Sequence, residues 1–115
     1  MQNMTFYGRS LLFLGAHPDD IELGCGAFIS DMAGKAAIHC MTFSDNQKNP
    51  ELLHLVGEHY DSMHQLGLND DQIELGQFET RRFPDFRQEI LEKMLALRRQ
   101  YQPEIVFVHT SQDIH

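Results

Sequence analysis

The sequence predicts an α/β protein, a three-layer α/β/α arrangement with a parallel sheet between helices. Two short runs carry that reading: Leu11-Leu12-Phe13-Leu14-Gly15-Ala16 and Ile105-Val106-Phe107-Val108 are almost unbroken in apolar residues. A strand buried on both faces of a parallel sheet has that appearance, whereas a half-exposed strand alternates. The third observation is what lies between the strand candidates, where apolar residues recur at helical spacing. Alternating strands and helices imply parallel strands joined by right-handed crossovers.

Taken in order, strand one is followed by a helix from about Ile21 to Ala33, with Asp19 and Asp20 at its N-terminus and Ile21, Phe28, Ile29 and Met32 as its apolar residues. Gly24, Gly26 and Ala27 are expected to let this helix lie close to the sheet. Gly34 closes it, and Ala36 to Phe43 reads as strand two. Asn49-Pro50-Glu51 supplies a cap, a first-turn proline and an acid for a second helix, which carries Leu52, Val56, Met63 and Leu66 and ends at Gly67. Gln72 to Leu75 is a short third strand. A third helix shows Phe86, Ile90, Met94, Leu97 and Tyr101 as one stripe, has Glu89 four residues before Lys93, and is stopped by Pro103. Ile105 to Val108 is the last strand. The run of apolar residues in strand one places it at the centre of the sheet, between strand two and the last strand.

The chain of 115 residues is one domain's worth, with 42% apolar and 23% charged residues. Its longest apolar run is far below the ~20 residues of a membrane helix. The first five residues do not open a secretory leader, so a cytoplasmic location is expected. A formal net charge of −8 argues against nucleic acid or an anionic membrane as partner, and favours a small molecule. Cys25 and Cys40 are too few and too far apart for a disulfide scaffold or a cysteine zinc site, and read as buried thiols.

Chemistry is expected beyond the carboxyl ends of the strands, where open α/β sheets bind their ligands. His17-Pro18-Asp19-Asp20 stands there after strand one, and Asp113-Ile114-His115 after the last strand. An imidazole and two carboxylates within four residues provide nitrogen and oxygen ligands for zinc, with a base beside them. The same residues are also compatible with a helix cap and a simple turn, and spacing alone does not separate the two readings.

The stretch Gly15-Ala16-His17-Pro18-Asp19-Asp20-Ile21-Glu22-Leu23-Gly24-Cys25-Gly26 resembles the first signature of the LmbE-like (PIG-L) N-acetylglucosamine deacetylases. Asp113-Ile114-His115 resembles the first half of that family's second motif, Asp-x-His-x-Asp-His. Glu58 with Leu66-Gly67, and Arg87-Gln88-Glu89-Ile90, are similar to weaker family features. The resemblance implies a Rossmann-like fold, here the N-terminal part (residues 1–115) of a single deacetylase domain and incomplete at the C-terminus. It implies Zn2+ as cofactor, His17 and Asp20 as zinc ligands, Asp19 as general base, and His115 as a catalytic residue near the substrate carbonyl. The remaining zinc ligand corresponds to a histidine three positions past His115, so the 115-residue chain is expected to be inactive. The implied substrate is a small molecule or glycoconjugate carrying N-acetylglucosamine, and an apolar side left for the rest of the domain or for a homo-oligomer partner is expected.

Arg81 and Arg82 lie between elements; Arg82 is the candidate substrate contact, against the plainer reading of a solvated pair. His54, His59 and His64 recur every five residues, which on a helix of ~3.6 residues per turn separates them by about 140°, so they do not converge on one ion. They read as surface or core residues. His109, at a strand end, could reach the site. Two rivals stand beside the deacetylase: a non-catalytic binding domain of the same fold, and a nucleotide-binding module with Asp45 at the end of strand two. The second lacks the third glycine of a pyrophosphate loop, and Gly24 and Gly26 come after the helix has begun.

Overall fold

The computed structural model describes residues 2–44, 55–78 and 84–109. Four strands, β1 (Ser10–Gly15), β2 (Ala37–Thr42), β3 (Ile73–Leu75) and β4 (Ile105–His109), form one sheet of order β3-β2-β1-β4. Every pairing is parallel: Leu11 lies opposite Ile38 on one side and Ile105 on the other, and Cys40 opposite Ile73. Strand one is therefore central, between the two strands expected to flank it. Three helices alternate with the strands, α1 (Asp20–Met32), α2 (Leu55–Gln65) and α3 (Arg87–Tyr101). The expected cap of α2 at Asn49-Pro50-Glu51 lies outside the described residues. Short 3-10 turns at Gln2–Phe6 and Asp70–Gln72 were not legible as apolar patterns.

Burial explains why β1 reads as an unbroken apolar run. Leu11 and Phe13 point to one face and pack with Ile38, Cys40, Ile21, Ile29, Met32 and Met63. Leu12 and Leu14 point to the other and pack with Met41, Phe43 and Leu97, with Ile90 and Tyr101 against them. Helices α1 and α2 thus cover one face and α3 the other. Phe107 of β4 stacks on Phe13, ring centroids 4.7 Å apart.

Glycines act at two positions. Gly34, at φ 80°, takes the left-handed conformation that ends α1. At Gly15 a Cβ would stand 2.9 Å from Cγ1 of Ile21, so only glycine lets the end of β1 meet the start of α1 this closely. The expectation for Gly24, Gly26 and Ala27 needs correction: Gly24 and Ala27 are exposed, and Gly26 faces Leu66 across an ordinary contact rather than the sheet. Both cysteines are free thiols, Cys40 buried and Cys25 half-buried, and burial raises the pKa of each.

Helix α3 is only partly covered. Leu97 is buried, while Met94 of the same stripe and its neighbours Leu91 and Leu95 are exposed. Val106 and Val108 of β4, beside Leu12 and Leu14 and on the face that α3 packs against, are exposed too. Lys93 reaches Glu74 of β3, which also accepts a hydrogen bond from Nε2 of the buried His39 (3.0 Å). The His39 ring stacks on Tyr101, centroids 3.9 Å apart. No helix among the described residues is long and apolar enough to cross a membrane.

Candidate active site

The carboxyl ends of the strands are levelled by backbone bonds. Phe43 N–H donates to the Gly15 carbonyl (3.0 Å), Ser44 N–H to Ala16 (2.9 Å) and Gly76 N–H to Thr42 (2.7 Å). Gly15 is also in register with Thr42 and with His109, so three strands end together where residues 16–20 leave the sheet.

That turn is folded around one carboxylate. Asp20 Oδ2 accepts hydrogen bonds from the backbone N–H of Ala16 (3.1 Å) and of His17 (3.0 Å), and Nδ1 of His17 lies 3.2 Å from the same oxygen. Asp20 N–H closes the turn onto the His17 carbonyl at 3.2 Å. Pro18, buried in the middle, has no N–H that would need a partner. Asp20 is buried, 6% exposed, and as the first residue of α1 it brings negative charge to the positive end of the helix dipole.

Asp19 differs sharply from its neighbour. It caps α1 at φ 80°, left-handed backbone that Asp adopts more readily than most residues, and is exposed. Its carbonyl accepts the Leu23 N–H at 2.9 Å. Partial burial and then the negative charge of Glu22 push the Asp19 carboxyl above its ordinary range; Glu58 and Asp20 add to this and His59 opposes it.

A zinc ion can be tested against these donors. Ligand atoms ~2.0–2.2 Å from a tetrahedral ion stand about 3.3–3.6 Å apart. His17 Nδ1 and Asp20 Oδ2, 3.2 Å apart, are close to that separation and are of the right chemical type. The set is a pair: among the described residues no group of three His, Cys, Asp or Glu could hold a metal ion. The structure thus brings His17, Asp19 and Asp20 together, while His115, Arg81 and Arg82 lie outside the described residues, as do His54 and Asp45. Gly24 and Gly26 lie inside α1, which rules out a glycine loop for pyrophosphate.

The sequence reading assigns His59 and His64 alike to surface or core, and both fit it, but it does not place His59 beside the site. His64 is indeed on the surface, on Asp70 at 2.6 Å. His59 is buried and bonds Glu22, Nδ1 to Oε2 at 3.1 Å, tying α2 to the first turn of α1 beside Asp19. No local pattern could have found the pair, because its two residues are 37 positions apart.

The family described as PIG-L, GlcNAc-PI de-N-acetylase, matches residues 12–115. An Escherichia coli K12 protein described as the uncharacterized deacetylase YaiS is 59% identical over 27 residues, 24% of this chain and 15% of that protein. The crystal structure of the conserved protein TT1542 from Thermus thermophilus is similar with a TM-score of 0.65 and 26% identity, over 85% of this chain and 45% of that one. The chain spans less than half the length of these relatives. A match running from within β1 to the last residue leaves one assignment: the chain belongs to the PIG-L, GlcNAc-PI de-N-acetylase, family.

Proposed function

We propose that this chain contributes the metal-holding and base-bearing part of a zinc-dependent hydrolase that removes the N-acetyl group from a small molecule or glycoconjugate containing N-acetylglucosamine. One observation supports this above others: a histidine and a buried carboxylate meet at 3.2 Å at the carboxyl end of the sheet, with a second, exposed carboxylate next to them. His17 and Asp20 would hold the zinc. When bound, zinc would supply Lewis acidity, lowering the pKa of water towards neutrality and polarising an amide carbonyl. Asp19, facing solvent, takes the proton from the attacking water, and a carboxyl raised above its ordinary range suits a base that works near neutral pH. His115 is assigned the stabilisation of the developing oxyanion and Arg82 a contact to the sugar; both rest on the sequence alone.

The test is a comparison of variants in the longest natural form of the protein, reading acetate release from N-acetylglucosaminides and zinc content together. Asp19→Asn is expected to lower turnover by about 10²–10⁴ with zinc retained. Asp20→Ala is expected to lose zinc. A wild-type protein that holds zinc and releases no acetate would remove the deacetylase reading and leave a binding domain. The 115-residue chain by itself, with two ligands among its described residues, is expected to bind zinc weakly and to turn nothing over.

A further inference from the structure

Glu22 and His59 form a buried pair that the chemistry above does not use. His59 has a side chain 1% exposed, Glu22 one 9% exposed, and they meet at 3.1 Å. The second atom of each, Glu22 Oε1 and His59 Nε2, is buried and has no hydrogen-bond partner among the described residues. Such groups lower stability relative to a well-packed apolar pair of the same shape. The pair therefore calls for a reason other than stability.

Its place supplies one. Glu22 is in the first turn of α1, where backbone N–H groups have no partner within the helix and the turn is prone to fray. Asp19, directly before that turn, sits in left-handed backbone, a conformation that persists only where its surroundings hold it. Two side-chain anchors flank it among the described residues. One is Asp20, through the amides of Ala16 and His17, but Asp20 is also a proposed zinc ligand. The other is Glu22, whose tie to α2 through His59 is made without a zinc ligand.

We propose that Glu22 and His59 are positioning residues: their bond clamps the first turn of α1 to α2 and so keeps Asp19 and Asp20 aimed at the site whether or not metal occupies it. This rests on the zinc reading of His17 and Asp20.

The experiment uses the 115-residue chain and four variants: Glu22→Ala, the apolar double replacement Glu22→Leu with His59→Phe, and the conservative Glu22→Gln and His59→Asn, the last placing an amide nitrogen near where Nδ1 lies. Three quantities are read: zinc affinity by competition with a chromophoric chelator, hydrogen exchange of the Ala16 and His17 amides without metal, and the urea midpoint. Glu22→Ala and the double variant are expected to bind zinc about tenfold or more weakly and to exchange those amides faster. The double variant is expected to keep or raise the midpoint, and the conservative variants to stay close to wild type in all three. Unchanged exchange and affinity in the double variant would overturn the proposal, as would a fall in midpoint alone. If the wild-type chain binds no zinc, the zinc reading fails, while the exchange rates still decide the clamp: faster supports it, unchanged overturns it.

Discussion

Replacing Asp20 by alanine tests how far the site is also part of the fold. The carboxylate accepts two backbone N–H groups and faces the His17 ring, all on one oxygen. Ala16 is 7% exposed, so its N–H loses its partner with little access to water; that of His17, half-buried, can recover part of the loss by hydration. A buried donor left unpaired costs about 1–3 kcal/mol, and a charge at the helix N-terminus is worth about 0.3–1 kcal/mol. The sum is about 1–4 kcal/mol, a sizeable share of the about 5–15 kcal/mol that holds a domain together. Asp20→Asn keeps a carbonyl oxygen for the same amides and is expected to cost about half as much. Urea unfolding in the presence of a chelator, with linear extrapolation, measures both. A loss under about 0.5 kcal/mol for Asp20→Ala would refute the argument that this carboxylate organises residues 16–20 before any metal arrives.

Gly15→Ala is expected to destabilise by about 1–3 kcal/mol, because its Cβ would press Ile21 Cγ1 at 2.9 Å and Asp20 Cβ at 3.2 Å; a neutral result in the same assay would mean that α1 can step back from the sheet. Stability should also fall in mild acid through His39. Its burial lowers its pKa below the ordinary 6.5, outweighing the opposing effect of Glu74, so as pH drops through 6.5 the unfolded chain takes up the proton and the native one does not. For Glu74, burial would raise the pKa, but the hydrogen bonds from Lys93 and His39 prevail and lower it, which adds loss of stability at still lower pH. His39→Gln is expected to flatten the urea midpoint between about pH 6.5 and 5.5; an unchanged slope there would show that another group controls it.

Much of the fold was legible because burial dictates pattern. Leu11 to Leu14 alternate between two covered faces, so both sets had to be apolar, which is the pattern of a central strand. Three-residue β3 was near the limit, since Ile73 alone among its residues is buried and a strand that short leaves almost no period to detect. In the site, His17 and Asp20 were legible because they are three residues apart in one turn. The Glu22–His59 bond joins residues 37 positions apart and leaves no local trace. Glycine spacing in α1 misled for a related reason: helical geometry says that a small residue faces something, not whether that is the sheet or Leu66.

Two successive aspartates give two different chemical groups because of one backbone angle. Had Asp19 taken an ordinary extended cap conformation, its carboxylate would have been free to bond the amides of the first turn, as capping aspartates do, and would have been spent there. At φ 80° it makes no such bond and stays exposed, and the task of satisfying nearby amides passes to Asp20, which turns back onto Ala16 and His17 instead. One carboxylate is thereby immobilised and buried beside an imidazole, which suits the proposed metal ligand; the other is exposed, its carboxyl raised by partial burial and then by the charges of Glu22 and Glu58, which suits the proposed base. On this reasoning the left-handed residue is where the division of labour is made. Glycine would preserve that turn and remove the proposed base, so Asp19→Gly should leave the Asp20 staple, and with it the proposed zinc binding, intact.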